Sequence, residues 1–475
     1  MKSAIGPLRP IVIGGSLAGM CAASVLARTC DEVVVIDRDA YPDSALERGG
    51  VPQSRHPHVL LQRGRVELEG LFPGFVDRIH ALGGLEMEMG YECATLRGGV
   101  WARRTRDRNP MLCASRVLIE AVVRELLRKT GRVRLIERTN AVGLEIARGD
   151  RLQVTGVKMR PLDGGADATI AANLVVDASG RTTRIPSWLL EAGLPEPEVT
   201  IVEPHSGYAT RWYRAEPSRR PREWWWKSIV VDTPEEEIAT TGLFPVEDNK
   251  FTVTMAGVGG KYPPSEAVSF TQKLAKLRSP IIAEEVALAE PISPVYSYRN
   301  MANRWRRYDK WKGALSGFVA LGDSTCAFNP VYGQGMTSCA VGALILGEML
   351  EKYGAEDPEL PRKFFSAQAA FQSAPWGLAT GADFRFSTTD GERPVLSRLL
   401  APVFGRLWEI QRHDDVLRER IIDVINMVQP PSALFTPSSL ARIALAMAKA
   451  RTRGNSSSGV SAPIPPTKDL AAASL

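Results

Sequence analysis

The sequence predicts a mixed α/β protein with a doubly wound parallel-sheet domain, an inserted β-sheet domain and a C-terminal helical region. In residues 11–37, a short apolar run, a glycine turn, a small-residue helix and a second strand follow in order. In residues 318–337, a buried strand leads into Gly-Asp, a loop and a long helix. Residues 199–260 alternate polar and apolar side chains, which is typical of an antiparallel sheet.

Length and composition indicate a globular protein of two domains plus a tail. The 475 residues exceed one ordinary core, and 44% hydrophobic with 24% charged residues is a globular composition. No uncharged apolar run reaches the ~18 residues of a membrane span. The 6 cysteines form no C-x-x-C pair or zinc-ligand spacing, so we expect reduced packing residues in a cytoplasmic protein. The net charge of +6 suits an anionic cofactor, a phosphorylated cosubstrate or a lipid surface, and does not indicate nucleic acid.

The first stretch predicts a dinucleotide site. Its opening β-branched residues suit a strand covered on both faces, Gly14 permits the tight turn, and Gly19 lets the helix pack close to the sheet. The free N–H groups at the helix start, with the positive end of its dipole, suit a pyrophosphate. Asp37 lies 23 positions after Gly14, where a carboxylate can bind a ribose hydroxyl. Ser16 stands where a second glycine is usual, and its hydroxyl can itself donate to phosphate.

Two plainer interpretations of this stretch are a signal peptide and a glycine turn without a ligand. The signal peptide is disfavoured because the stretch contains glycines and leads into a strand that ends in an acid. The ligand-free turn is disfavoured because strand, turn, helix, strand and terminal acid occur together.

The other elements are assigned from periodicity and turn residues. In chain order they are a helix over 59–71, an irregular stretch over 76–104, a helix over 117–127 capped by Ser115, strands at 132–137, 141–147, 152–160 and 174–176, the sheet of 199–260, helical residues 265–289, a strand at 318–321, a helix over about 335–352 and mostly helical residues 358–451. The predicted domains are 1–75, 105–187 and 296–352 for the parallel-sheet domain, 76–104 and 188–295 for the β-sheet domain, 353–453 for the helical region and 454–475 for a disordered tail.

The second stretch predicts a ligand site beside the first. Its strand ends in Gly-Asp, so the carboxylate of Asp323 lies at a carboxyl strand end, where open α/β sheets bind ligands. Gly333 and Gly335 precede a helix and offer N–H groups to a flat or anionic group. An ordinary Asp N-cap is the plainer alternative. Two acids at two strand ends suit FAD, which has a ribose and a ribityl chain, better than NAD, which has no ribityl.

On these motifs the sequence resembles the FAD-dependent monooxygenases of the p-hydroxybenzoate hydroxylase superfamily, and it is most similar to the bacterial polyether and squalene-type epoxidase branch. The resemblance extends over about residues 8–440 and implies a Rossmann-like FAD-binding domain. The implied FAD contacts are Gly14, Ser16 and Gly19 at the pyrophosphate, Asp37 at the adenosine ribose, its neighbour Arg38, Arg48, Gly50 and Val51 in an R-x-G-V loop, Arg116 and Asp323 at the polyol chain, and Pro330, Gly333, Gly335, Met336 and Thr337 beside the flavin ring. Asp177 of the middle motif is implied to serve both FAD and the nicotinamide cosubstrate, although Ala178 replaces the motif's glycine.

The function that the resemblance implies is insertion of one oxygen atom from O₂ into an apolar, electron-rich secondary metabolite. In this family the oxidant is a flavin C4a-hydroperoxide, so no residue is assigned a catalytic role and no metal site is expected. Alkene epoxidation is expected ahead of aromatic hydroxylation. Electrons would come from NADPH or NADH, directly or through a flavin reductase. The alternatives are an FAD reductase, dehydrogenase or halogenase-like enzyme on an isoprenoid-like or aromatic substrate, and a non-enzyme relative that has lost FAD and binds lipidated proteins.

Aromatic residues and histidines supply candidates for the substrate pocket. Trp224 and Trp226 are interpreted as aromatics on a sheet face that line core or pocket, and with Pro330 they are the pocket candidates. A halogenase W-x-W-x-I-P motif is the alternative, although valine replaces its proline. His56 and His58 lack acidic companions and are interpreted as loop residues, with a substrate or flavin contact as the alternative.

Basic segments suggest two further contacts. The arginine clusters of 103–108 and 304–307 are interpreted as solvated faces, with the phosphates of NADPH as the alternative ligand. Residues 440–453 place Leu440, Ile443 and Met447 at helical spacing before basic residues. This segment is expected either to dock on the body or to form a basic amphipathic foot on a membrane surface.

Overall fold

The computed structural model confirms the mixed α/β class. It describes residues 8–452 except 98–99, 103, 107–109, 222, 234–237, 300, 394–397, 399–406, 408–409 and 412–413. The strands are β1 (Pro10–Ile13), β2 (Val33–Ile36), β3 (Val59–Leu60), β4 (Leu85–Met87), β5 (Cys93–Arg97), β6 (Val100–Trp101), β7 (Met111–Cys113), β8 (Val133–Ile136), β9 (Thr139–Arg148), β10 (Leu152–Pro161), β11 (Ala168–Ala171), β12 (Leu174–Asp177), β13 (Val199–Val202), β14 (Gly207–Arg214), β15 (Ser228–Asp232), β16 (Ile238–Pro245), β17 (Lys250–Gly257), β18 (Glu290–Pro291), β19 (Tyr296–Tyr298), β20 (Asn303–Arg306), β21 (Phe318–Ala320) and β22 (Cys326–Ala327). The helices are α1 (Leu17–Leu26), α2 (Gln62–Leu71), α3 (Phe75–Ala81), α4 (Met89–Glu92), α5 (Arg116–Lys129), α6 (Ile185–Glu191), α7 (Ala267–Ala275), α8 (Ile281–Ala287), α9 (Gly335–Tyr353), α10 (Leu360–Asp383), α11 (Asp415–Ile425) and α12 (Pro437–Thr452).

A five-stranded parallel sheet of order β21-β12-β1-β2-β8 organises the first core. Every residue of β1, β2, β12 and β21 is buried, as expected for strands covered on both faces. The register pairs Ile13 with Asp177, and Asp177 with Ala320. The glycine turn after β1, the acid that ends β12 and the Gly-Asp after β21 therefore meet at one edge of the sheet, as the sequence predicts.

A larger sheet of order β18-β14-β17-β16-β15-β5-β6, with β19 also paired to β14, forms the second core. One face carries apolar residues such as Val253 and Met255, which pack against Phe270 and Leu274 of α7. Because successive side chains of a strand point to opposite faces, the residues that alternate with these apolar ones form the opposite face of the sheet. Most of these are threonine, tyrosine, arginine or aspartate, and this polar face borders the cavity described below.

The structure corrects several local predictions. The predicted helix over 59–71 begins with the short strand β3, because Val59 and Leu60 pair with β7. A helix missed by the sequence, α3, follows the Pro73-Gly74 turn. Strand β13 lies within the predicted sheet of 199–260 but pairs with β20 in a separate sheet. The predicted helical stretch 265–289 is two helices, which are separated near Pro280.

The C-terminal helices dock on the body of the protein. Ile443 and Ala446 of α12 are buried against Leu417 of α11 and Leu434, whereas Leu440 is exposed. This arrangement matches the docked alternative for residues 440–453, of which 453 lies outside the described residues. The predicted tail 454–475 lies wholly outside them. Within the described residues, no helix is both long and apolar enough to cross a membrane.

Gly19 provides a direct test of the close contact between α1 and the sheet. A Cβ at this position would lie 1.7 Å from the Gly14 carbonyl oxygen and 3.2 Å from Val12 Cγ1. We expect Gly19→Ala to lower the free energy of unfolding by about 3 kcal/mol, because a backbone atom must move. Urea denaturation measures this loss.

Gly347 of α9 is the matched control. Its added Cβ would lie 3.5 Å from the Val25 side chain, an ordinary contact, so Gly347→Ala should be neutral or stabilise by up to ~1 kcal/mol. Equal stability of Gly19→Ala and the wild type would contradict the packing described here.

Candidate functional site

One large cavity runs from the carboxyl edge of the parallel sheet to the polar face of the larger sheet. Its volume is about 2460 Å³, whereas ordinary small-molecule pockets measure ~300–1,000 Å³. The cavity can therefore hold a large cofactor and a substrate together. The cavity has two ends. One end is lined by the glycine turn and its surroundings, and the other, called the substrate compartment below, lies between the larger sheet and the C-terminal helices. The loop 328–336 lies between the two ends.

The glycine turn faces this cavity as the sequence predicts. Gly14 has φ +98°, and an added Cβ would lie 2.5 Å from the Ala178 carbonyl oxygen, so both conformation and space require glycine. Ser16 is the N-cap of α1 but makes no side-chain capping bond. The first N–H groups of α1, which have no intrahelical partner, therefore stay open to an anion.

Beneath the turn lies a buried ion cluster that sequence reasoning missed. Glu120 of α5 accepts from Arg48 Nη2 at 2.7 Å, from Arg116 Nε at 3.0 Å, and from the Ser16 hydroxyl. Arg116 Nη2 also donates to Ser16 Oγ at 3.0 Å. Burial alone would raise the pKa of Glu120, but the two arginines and the hydrogen bonds lower it to about 2. The two predicted cofactor arginines are thus fixed on one ionised carboxylate.

Asp37 follows β2 and is surrounded by donors. Its Oδ2 accepts from Gly15 N at 2.9 Å, Tyr41 Oη at 3.0 Å and Arg48 Nη1 at 3.2 Å. Its Oδ1 accepts from Asp39 N at 2.9 Å. A carboxylate oxygen can accept more than one hydrogen bond, so Oδ1 retains capacity for a ribose hydroxyl. The predicted Arg38, Gly50 and Val51 also line this part of the cavity.

The acids at the other two strand ends have different positions. Asp323 lines the cavity, and burial raises its pKa while Arg181 and Arg116 lower it. Asp177 is fully buried and accepts from the hydroxyls of Thr183 at 2.7 Å and Ser324 at 3.2 Å. Asp177 is absent from the described residues that line the cavity. Its prediction as a direct cofactor contact is corrected, because it instead fixes the turn that follows β12.

The loop before α9 is anchored from the C-terminal region. Asp383, at the end of α10, accepts from Tyr332 Oη at 2.6 Å, Asn329 Nδ2 at 3.0 Å and Asn303 Nδ2 at 2.6 Å. Burial raises the pKa of Asp383 to about 6. Gly333 adopts a left-handed conformation with φ +68° at the end of the loop. The course of the loop along the cavity therefore depends on Asp383, which is 51 positions after Tyr332 in the sequence.

The predicted residues around this loop divide into two groups. Pro330, Gly333, Gly335 and Met336 line the cavity. Thr337 is fully buried and packs toward α2, since a Cβ on Gly64 would lie 2.5 Å from its Oγ1. Gly19 similarly packs on the backbone of the glycine turn. These two predicted cofactor contacts act behind the cavity wall.

His56 and His58 lie in a loop, as the sequence interpretation has it, and both also face the cavity, as the alternative of a substrate or flavin contact requires. His56 Nδ1 lies 2.8 Å from Thr210 Oγ1, which lies 2.7 Å from Thr254 Oγ1. The His56 ring also meets Tyr208 edge to face, with centroids 4.4 Å apart. Burial lowers the pKa of His56 and of His58 to about 3, so both are neutral at pH 7. The only sequence signal was their position in the loop that carries Arg48.

Trp224 and Trp226 belong to the second core and do not line the cavity. Their rings stack with centroids 5.2 Å apart, and Trp226 Nε1 donates to Glu285 Oε1 at 2.6 Å. Only 2% of the Trp226 surface is exposed. Their prediction as pocket residues is corrected, because they pack on the α8 side of the sheet, whereas Tyr208 and Tyr298 are among the aromatic residues that line the cavity.

The comparisons with known proteins agree with this geometry. Residues 11–183 match the model of the family described as FAD dependent oxidoreductase. Protein Rv3254 of Mycobacterium tuberculosis is 30% identical over 419 residues, which cover 86% of this chain and 87% of that protein. The chain belongs to the FAD-dependent oxidoreductases.

Two solved structures share the fold at low identity. PqsL, a probable FAD-dependent monooxygenase from Pseudomonas aeruginosa, has a TM-score of 0.58 and 16% identity, and the match covers 80% of this chain and 97% of PqsL. The flavin-dependent brominase Bmp2 has a TM-score of 0.64 and 13% identity, with 94% of this chain and 99% of Bmp2 covered. The enzyme therefore has the flavoprotein fold of monooxygenases and halogenases.

The residues present fit FAD. The open N-terminus of α1 suits the diphosphate, Asp37 Oδ1 suits the ribose, and Asp323 with Arg116 suits a polyol chain farther along the same cavity. The loop containing Gly333 and Gly335 then borders the remaining space, where the isoalloxazine ring would lie. In the described part of the chain, no group of three or more His, Cys, Asp or Glu side chains could hold a metal ion.

Loss of the Glu120 carboxylate should lower the free energy of unfolding by an amount that depends on pH. A buried charge pair that loses one partner costs ~3–5 kcal/mol, so we expect Glu120→Gln to be less stable by about 3 kcal/mol at pH 7. The depressed pKa of Glu120 means that its stabilisation is present above about pH 4.5 and is lost as the pH falls toward 2. Urea denaturation at pH 7 and pH 4 measures whether the difference in the free energy of unfolding between the wild type and Glu120→Gln is smaller at pH 4.

Glu125→Gln on the same helix is the control. Glu125 makes exposed ion pairs with Lys129 and Arg78, so this variant should stay within about 0.5 kcal/mol of the wild type. If the stability difference between the wild type and Glu120→Gln did not change with pH, the ion-pair explanation would be contradicted.

Asp323→Ala should purify with most of its FAD missing. The substitution replaces a hydrogen-bond acceptor for the polyol chain with an apolar methyl group while the fold retains its other contacts. The ratio of flavin to protein absorbance measures the loss, and Asp167→Ala, on an exposed hairpin, should remain fully yellow. A fully loaded Asp323→Ala protein would show that this strand end does not bind the cofactor.

Proposed function

We propose that the enzyme is an FAD-dependent monooxygenase that inserts one oxygen atom from O₂ into an apolar, electron-rich organic substrate, with alkene epoxidation ahead of aromatic hydroxylation. The observation that carries the proposal is the continuity of the cavity. The cofactor part opens past the loop 328–336 into a compartment large enough for a second molecule. A cofactor that reacted only with a small diffusible partner would not need this compartment.

The compartment suits a substrate that is mostly apolar. Its C-terminal wall carries Leu378, Ile421, Val424 and Leu434. Burial of apolar surface stabilises binding by ~25 cal/mol per Å², so such a wall favours a hydrocarbon skeleton. The same wall excludes water from the space beside the cofactor, which protects a reactive oxidant from side reactions.

The chemistry assigned to the protein is positioning. Bound FAD, once reduced, supplies the activation of O₂. The loop anchored by Asp383 positions the substrate side of the cavity, and the neutral His56 and His58 add no positive charge there at pH 7. NADPH or NADH supplies electrons in this proposal, directly or through a separate flavin reductase.

The competing functions use the same fold. A flavin-dependent halogenase is favoured by the likeness to Bmp2, and it would require halide for product formation. An FAD reductase or dehydrogenase would move hydride to or from an isoprenoid-like or aromatic substrate, and it would not consume O₂ in step with product. All of these functions could use the same cavity, so the reaction with oxygen distinguishes them.

The first experiment is a stopped-flow measurement on the chemically reduced holoenzyme. We expect mixing with oxygenated buffer to give a transient absorbance distinct from reduced and oxidised flavin, with hydrogen peroxide yield falling when an accepted alkene is present. A control with chloride or bromide omitted should behave identically. One-step reoxidation without a transient, with and without alkenes, would favour the dehydrogenase, and halide-dependent product would favour the halogenase.

A further inference from the structure

An ion pair lies on the polar face of the larger sheet. Arg97 of β5 and Asp232 of β15 are register partners in neighbouring parallel strands, and Arg97 Nε lies 2.5 Å from Asp232 Oδ2. The Thr240 hydroxyl donates to Asp232 Oδ1 at 3.1 Å. The Asp232 side chain is 1% exposed. All three residues line the substrate compartment.

A second guanidinium reaches the same carboxylate from the opposite wall. Arg385 follows α10, and its Nη2 lies 3.8 Å from Asp232 Oδ1. Arg97 alone is sufficient to neutralise the charge of Asp232 within the sheet, so Arg385 is a second cation on the same carboxylate. Arg385 belongs to the C-terminal region and is 38% exposed, so the contact spans the two walls of the compartment.

Among the described residues, one carboxylate in this compartment faces two guanidiniums. Arg97 and Arg385 share the single carboxylate of Asp232, so these three side chains carry a net charge of +1. The neighbouring wall is apolar, and a positive excess beside an apolar wall favours binding of an anion. Tyr332, in the loop beside the cofactor space, interacts electrostatically with both Arg385 and Asp232. The excess therefore lies near that loop.

We propose that Arg385, held beside Arg97 by Asp232, binds a carboxylate on an otherwise apolar substrate. The proposal rests on the proposed function and names the substrate class within it. A carboxylic acid is ionised at neutral pH, and a guanidinium matches its planar geometry better than an ammonium does. The apolar remainder of the substrate then lies along the C-terminal wall. Arg385 is a binding residue that sets specificity for an acid over its neutral ester.

The test compares 10-undecenoic acid with methyl 10-undecenoate, which differ only in the charged end. Both are titrated calorimetrically into the oxidised holoenzyme at pH 7.5, so no oxygen chemistry is required. We expect the wild type to bind the acid at least about ten-fold more tightly than the ester, as a charge-assisted contact provides. In Arg385→Met this preference should fall below about three-fold, while the affinity for the ester stays the same.

Two further variants separate charge from folding. Arg385→Lys keeps the charge without the planar fork and should restore part of the preference. Arg362→Met removes an exposed arginine of α10, 73% exposed and paired with Glu359, and should retain the full preference. Thermal unfolding checks that each variant is folded.

The outcomes distinguish this proposal from the proposed function. Equal affinity for acid and ester in the wild type, no binding of either compound, or a preference retained by Arg385→Met would overturn the carboxylate site. An acid preference that depends on Arg385, together with one-step reoxidation in the stopped-flow experiment, would leave the carboxylate site in place and overturn only the monooxygenase assignment.

Discussion

The buried carboxylate of Glu120 is the constraint on which the cofactor end of the molecule depends. It lies on α5, yet it joins the helix to the glycine turn through Ser16 and to the 47–58 loop through Arg48. A lone buried carboxylate would be expensive, and here two guanidiniums and a hydroxyl keep it ionised. Its effect is to fix Arg48 and Arg116, which would otherwise have long, mobile side chains. The cluster converts three separate chain segments into one rigid side of the site.

This cluster also explains the serine in the glycine turn. A glycine at position 16 would leave Glu120 with two arginine partners and no hydroxyl. Ser16 instead donates to Glu120 and accepts from Arg116, so it links the turn to α5. The departure from the common glycine pattern is therefore accounted for by a contact within the protein. The first N–H groups of α1 remain available to an anion, since the serine side chain does not cap them.

Much of the parallel-sheet domain could be predicted from the sequence, because its signals are local. Buried β-branched runs, a glycine turn and terminal acids placed Gly14, Asp37 and Asp323 at one sheet edge, and the observed strand order agrees. Asp177 was predicted at the correct strand end, but whether a side chain turns toward the cavity or into the core depends on partners such as Thr183. Motif position cannot supply that information.

The substrate side could not be predicted for a related reason. Its walls form from segments far apart in the chain, and their facing residues follow from strand register. The tryptophans of 224–226 illustrate this. Whether an aromatic side chain there contacts the core or the cavity depends on the strand register, which the sequence does not reveal. His56 likewise gains its place through residues distant in the chain, such as Thr210, which is 154 positions away. No periodicity within either segment encodes such a contact.

The two sides of the cavity therefore have different sources of order, and this bears on specificity. The cofactor side is fixed by backbone turns and by Glu120, which leave little room for variation. The substrate side is fixed by contacts between regions, such as the Asp383 hydrogen bonds to the 329–332 loop and the carboxylate of Asp232 shared by Arg97 and Arg385. Both join the C-terminal region to elements that border the cofactor space. A change in the C-terminal helices would thus alter the substrate compartment and the loop together, whereas the glycine turn would be unaffected. Substrate selectivity in this enzyme is accordingly expected to be determined by the C-terminal region and the polar face of the larger sheet.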